Sequence, residues 1–148
     1  MTSTASPDPD FAARVRASFA RQPLMATIGA VVEEVTPGRV VLRMPVRDDL
    51  TQQNGFVHAG AIAALADSAC GYAALSLMPP GADVLSIEFK LNMLAPATGD
   101  ALVASAEVIR AGRTIMVCRA DVFTLSAGGK KLVSAMQATM MVTPATAQ

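Results

Sequence analysis

The chain has 148 residues, of which 52% are hydrophobic and 16% charged, enough apolar content for one compact domain and too much for disorder over most of its length. Lysine plus arginine equals aspartate plus glutamate at 12 each, tryptophan is absent and aromatic residues make up 4%. That composition excludes the concentrated cations of a nucleic-acid binder and the base-stacking platforms of a single-strand binder.

Residues 1–7 read as a loose tail, and the opening MTSTASPDPD has neither the basic nor the apolar run of a signal peptide. Asp8 followed by Pro9 has the pattern of an N-cap and a first-turn proline. Phe11, Val15 and Phe19 recur every four residues, predicting a short amphipathic helix over about 8–20 that Gln22-Pro23 ends. From Ile28 to Val35 the chain is rich in β-branched residues. After a turn at Thr36-Pro37-Gly38, Val40, Leu42, Met44 and Val46 alternate with Val41, Arg43 and Pro45, which predicts a hairpin. Residues 47–56 form a polar loop holding Gln52, Gln53, Asn54 and Gly55.

Residues 59–78, AGAIAALADSACGYAALSLM, predict a long helix that is apolar around nearly its whole circumference and therefore buried on most sides. Its length would cross a membrane, but alanine and glycine dominate it, a carboxylate sits in its middle and strand patterns flank it, so a buried helix is the better reading. Pro79-Pro80-Gly81 ends it. Next, Leu85, Ile87, Phe89, Leu91 and Met93 alternate with Ser86, Glu88, Lys90 and Asn92, the cleanest period-two run in the chain. Strands over 101–110, 114–125 and 132–142 follow, joined by turns at Ala111-Gly112 and Ser126–Gly129. The expected order is helix, hairpin, long helix and up to four strands in an antiparallel meander, an α+β domain over 24–142. Residues 1–23 would form a tail with a short helix, and 143–148 a second tail. One flat sheet face cannot cover a helix that is apolar all round, so the sheet must curl around it or a second subunit must cover the remainder.

Cys70 and Cys118 lie far apart in apolar stretches and read as buried thiols in a reducing, cytoplasmic setting. With one histidine in the chain they give no metal site. Asp67 is the one charge inside the long helix, which leaves it three readings: a pairing with a strand residue such as Arg119, exposure on a polar stripe with Ser68, or chemistry. His58-Ala59-Gly60 stands where loop becomes helix. Backbone N–H groups are unpaired there, and Gly60 has no side chain to keep a ligand oxygen from its amide. Such a donor stabilises a developing oxyanion by about 2.7–4 kcal/mol, although an ordinary capped helix start has the same residues. Gly60 and Asp67 are about 10 Å apart along their helix, so they cannot touch one carbonyl within one chain. Two antiparallel copies of the helix would bring them together.

The run Gln52-x-x-Gly55-x-x-His58-Ala59-Gly60, with Asp67 nine residues after the histidine, resembles the signature of hotdog-fold acyl-CoA thioesterases, in particular the phenylacetate-pathway (PaaI-like) and 4-hydroxybenzoyl-CoA thioesterase branch. The resemblance covers about residues 24–142 and implies a curled antiparallel sheet wrapped around one long central helix. It implies an acyl-CoA substrate with an aryl or medium-chain acyl group, no cofactor, no nucleic acid or membrane partner, and a homodimer or a dimer of dimers. Carried over residue by residue, Gln52 positions the water or the carboxylate, with Asn54 and Gly55 of the same loop at the substrate. His58 supports the loop and the thioester carbonyl, the Gly60 amide polarises that carbonyl, Asp67 is general base or nucleophile, and Ser86 helps hold water. The chain departs from the pattern in three places. Ala59 replaces the middle glycine of His-Gly-Gly, Gly71 stands where the Glu-bearing branch has a hydroxyl, and Ser86 falls on the polar phase of its strand, opposite Leu85 and Ile87. Lys90, Arg110, Arg113 and Lys130-Lys131 are candidates for CoA phosphates but read first as solvated surface charges. A hotdog dehydratase or hydratase would carry a proline-containing loop after the histidine, which His58 lacks. A non-catalytic acyl-CoA-binding protein would keep the fold and lose turnover.

Overall fold

The computed structural model describes residues 6–145. Helices α1 (Phe11–Ala20) and α2 (Pro23–Ile28) precede the hairpin of β1 (Val31–Thr36) and β2 (Arg39–Pro45). A loop with a single 3-10 turn at Asp48–Leu50 leads into α3 (Ala59–Leu75), and β3 (Ala82–Met93), β4 (Ala101–Ala111), β5 (Ile115–Ser126) and β6 (Gly129–Pro144) complete the chain. The strands form one antiparallel sheet in the order β1-β2-β4-β5-β6-β3.

The expected four-strand meander therefore holds only for β4, β5 and β6. Strand β3 does not pair with its sequence neighbour β4; it closes the far edge of the sheet on β6. Residues 94–100 carry the chain across the ends of the strands. Along that path the Leu94 amide bonds the Val133 carbonyl at 2.8 Å and the Asp100 amide bonds the Leu125 carbonyl at 2.8 Å.

Helix α3 lies in the concave face, with Ile62, Leu65, Ala66, Ala69, Cys70 and Ala73 fully buried against Leu42, Leu102, Val122 and Met140. Its small residues let the backbone settle close to the sheet, and the curl that wraps them is built into the strands. One extra residue interrupts the ladder at Glu33, Ile87, Ile109 and Val133, and bulges of this kind bend a strand and raise its twist. The helix is three residues shorter than the pattern predicts. The Ser76 hydroxyl folds back on the Ala73 carbonyl at 2.6 Å and accepts the Gly38 amide at 2.8 Å, so Ser76–Met78 leave the helical path before the prolines. Among the described residues, no helix is long and apolar enough to cross a membrane.

The ends of the chain differ from expectation in detail. Helix α1 starts at Phe11 rather than near residue 8, because Asp8 accepts the Asp10 amide at 2.9 Å in a turn that precedes the helix. Gln22-Pro23 ends α1 but also begins α2, with Pro23 in the first turn where its missing N–H costs nothing; Gly29 closes α2 at φ 72° and moves the start of β1 from Ile28 to Val31. Strand β6 runs to Pro144, two residues beyond the expected 142, paired with Ala82. The expected tails lie largely outside the described residues, which exclude 1–5 and 146–148.

Arg14 fastens α1 to the far end of α3. Its guanidinium pairs with Asp8 at 3.0 Å and donates to the carbonyls of Leu75 (3.0 Å), Met78 (2.7 Å) and Pro79 (2.7 Å), at and just beyond the negative end of the helix, where Leu75 and Pro79 also accept the Met78 and Ala82 amides. Replacing Arg14 by Leu is expected to lower the unfolding free energy by about 2–4 kcal/mol, read as an earlier urea midpoint at unchanged slope. An unchanged midpoint would show that water serves those carbonyls equally well.

Candidate active site

The loop before α3 is a tight turn organised by Gln52. Its amide bonds the Phe56 carbonyl at 2.8 Å, its carbonyl accepts the Gly55 amide at 2.9 Å, and its side-chain oxygen accepts the Asn54 amide. Gly55 sits at φ 80°, a left-handed conformation that favours glycine, so this glycine is required by the turn. Asn54 and Gly55 are exposed at the tip. With its oxygen committed to the turn, Gln52 keeps its side-chain Nε2 donors free of any acceptor among the described residues.

His58 is the N-cap of α3, and its Nδ1 accepts the Gly60 amide at 2.8 Å, which places the ring proton of the neutral imidazole on Nε2. The Gly60 N–H, expected to face a ligand, is thus taken by the cap. Glycine at this position also serves the cap, since a Cβ there would lie 3.0 Å from His58 Nδ1. The adjoining Ala59 is exposed, and its N–H has no acceptor among the described residues. No acidic residue occupies the first turn of α3, so the partial positive charge of the helix start is not neutralised from within that turn.

Asp67 is half-buried on α3, and its Oδ1 accepts the Ser86 hydroxyl at 2.7 Å. The pairing of Asp67 with Arg119 is not realised, since Arg119 pairs with Asp121 at 3.0 Å; Asp67 and Ser68 are both part-exposed and line one cleft, with the Ser68 hydroxyl turned to Gln22 at 3.5 Å. The bulge at Ile87 puts Ser86 and the apolar residues beyond it on the same face. Ser86 pairs with Met140, and beyond the bulge Phe89, Leu91 and Met93 pair with Ala138, Met136 and Ser134, all buried on the helix side. The inward set is therefore Val84, Ser86, Phe89, Leu91 and Met93, and the unbroken alternation that put Ser86 opposite them stops at residue 87. Leu85 and Ile87 outside this set are 59% and 52% exposed, and Phe89 and Met93 within it 46% and 45%, along an edge strand with no further neighbour in the sheet.

The candidate residues thus form two groups on one helix. Gln52, Val57 and Ala59 line a cleft of about 390 Å³ with Leu94 and Pro96. Asp67 lines a separate cleft of about 310 Å³ with Gln22, Ser68, Gly71, Tyr72 and Val84. Gly71, where a hydroxyl was noted as missing, leaves that space open. Two contributors were not legible from the pattern: the Ala59 amide, which only the position of the His58 cap reveals, and Gln22, whose sequence signal was that of a helix end. The cysteines take no part. Burial pushes the Cys118 thiol up to about 12 and raises that of Cys70 further, with Cys118 and Asp67 adding to the effect, so both stay protonated near neutrality. Of the candidate phosphate-binding cations, Lys130 packs over the Phe123 ring at 3.9 Å, on the outer face of the sheet.

Residues 54–129 match the Thioesterase superfamily. A putative esterase of Halobacterium salinarum is 36% identical over 120 residues, covering 78% of this chain and 79% of that protein. A 1,4-dihydroxy-2-naphthoyl-CoA hydrolase of Listeria monocytogenes is 30% identical over 94 residues, covering 64% and 76%. The crystal structure of a thioesterase family protein from Silicibacter pomeroyi superposes with a TM-score of 0.89 at 48% identity, over 91% of this chain and 99% of that one. A single helix held in a curled six-stranded sheet, a capped helix start and a hydrogen-bonded carboxylate on that helix go together with these matches: the chain belongs to the thioesterase superfamily and is a thioester hydrolase of the hotdog fold.

Proposed function

We propose that the protein hydrolyses an acyl-CoA thioester to the free acid and CoA at a site shared between two copies of the chain. The observation that carries this reading is the hydrogen bond from Ser86 to Asp67, which presents an oriented carboxylate beside an exposed edge strand and away from the N-terminus of its own helix. The thioester carbonyl lies at the start of α3, with its oxygen on the Ala59 N–H and, when His58 turns aside, on the Gly60 N–H. Gln52 Nε2 completes the cradle or holds the water. Asp67 comes from the neighbouring copy, brought in by pairing along β3, which also covers Leu85 and Ile87. Ser86 occupies Oδ1 of Asp67 and leaves Oδ2 to take the proton of the attacking water. The water oxygen adds to the carbonyl carbon, the carbon–sulfur bond breaks, and the thiolate leaves and is protonated. The CoA carrier is supported by the relative that acts on a naphthoyl-CoA, and the buried thiols suit a cytoplasmic setting.

The test is thiol release, followed with DTNB, from a panel of aryl- and alkyl-acyl-CoAs, with the mass of the active species measured by light scattering. Release by a species of two or four chains is expected. No release from any member of the panel would overturn the acyl-CoA reading, and full activity in a species with the mass of one chain would overturn the shared site.

A further inference from the structure

Gln22 lines the 310 Å³ cleft that holds Asp67, and it also lines a second cleft of about 370 Å³ between α1, α2 and β1, walled by Phe19, Ala26, Ala30 and Val32. Among the named lining residues it is the one that the two spaces share. Its side chain is held toward α3 by two hydrogen bonds: Nε2 donates to the Tyr72 hydroxyl at 2.9 Å, and Oε1 accepts from Ser68 at 3.5 Å. Tyr72, 4% exposed, is itself braced by the Phe19 ring, edge-on at 5.8 Å between centroids. The Gln22 side chain makes no cap bond to α2, while its backbone donates to the Phe19 carbonyl at 3.0 Å and accepts the Ala26 amide at 3.3 Å.

We propose that Gln22 is the specificity-determining residue of this enzyme, a partition that limits it to compact acyl groups and excludes long alkyl chains. The inference rests on the acyl-CoA reading above. A carbonyl within reach of Asp67 has two substituents. The thiol half carries the long pantetheine arm and its phosphates and must leave toward solvent; with that arm along the cleft at Ala59, the acyl half takes the cleft that Asp67 lines. An acyl group short enough to end before Gln22 fits that space. A longer chain meets the amide, which is held by two hydrogen bonds, and cannot enter the more apolar space behind it without breaking the 2.9 Å bond from Gln22 to the Tyr72 hydroxyl and leaving that hydroxyl the longer 3.4 Å contact with Ser18.

The test is the ratio of kcat/KM for tetradecanoyl-CoA to that for butanoyl-CoA, in wild type, Gln22→Ala and Gln22→Met. Gln22→Ala joins the two clefts and is expected to raise the ratio by about tenfold or more. Gln22→Met keeps the bulk of the partition and drops its hydrogen bonds, and is expected to stay near the wild-type ratio. A wild-type ratio in Gln22→Ala would overturn the partition, and so would equal rises in both variants, which would make the hydrogen bonds rather than the bulk decisive. Failure of wild type to release thiol from any acyl-CoA is a different result: it removes the acyl-CoA reading, and this inference with it.

Discussion

Asp67→Asn is expected to lower thioester turnover by about 10²–10⁴ while the protein folds and assembles as wild type does. The amide has the size of the carboxylate and keeps an oxygen for the Ser86 hydroxyl at the 2.7 Å position, so the inward face of β3 is undisturbed. It cannot accept a proton from water. No cation pairs with Asp67 among the described residues, so neutralising it leaves no uncompensated partner buried, and thermal unfolding should move little. A loss confined to kcat, with substrate binding retained, is the signature of a group that acts in the transition state. Turnover at the wild-type rate would remove Asp67 from the chemistry and leave its bond to Ser86 as architecture.

Ala59→Pro should be nearly as damaging, by about 10²–10³ in kcat, and for a different reason. Ala59 is the first residue of α3, the position at which proline is most easily accepted, because its N–H has no intrahelical acceptor. The preceding His58 already has φ −62° and ψ 137°, the extended conformation that a following proline imposes. The substitution therefore deletes one hydrogen-bond donor while the helix start, the His58 cap and the Gly60 amide remain. Circular dichroism and the unfolding midpoint should match wild type. If turnover also matches, the Ala59 N–H does not hold the carbonyl, and the Gly60 N–H, released from His58, must do so alone.

The elements that were legible in the sequence share a property: their signal is local. The stretch 59–78 announces α3 through small helix-forming residues and a double proline stop, and the spacing from Gln52 to Asp67 marks the candidate site before any geometry is known. What was hidden depends on residues distant in sequence or on a single dihedral choice. Period-two alternation says that β3 is a strand but not that its partner is β6 rather than β4. Helix α2 has six residues, too few to show a period, and it begins with the residue type that usually marks a stop. The bond between His58 and Gly60 depends on how the imidazole turns, which no spacing encodes. Gln22 meets Ser68 and Tyr72 across 46 and 50 positions, so the sequence shows it only as the end of the first helix and not as a neighbour of Asp67.

The extra residue at Ile87 has a consequence for how this chain can vary in length. Elsewhere in β3, losing or gaining one residue would turn every side chain beyond that point to the opposite face, carrying Leu91 out of the core. At Ile87 the arithmetic differs. With that residue gone, Ser86 and Glu88 would face Met140 and Thr139 as consecutive rungs, and the inward set would be the same as before. The serine beside the carboxylate and the apolar residues farther along are thus uncoupled in register, so homologous chains can add or drop a residue at this one point while the hydroxyl and the packing both keep their places.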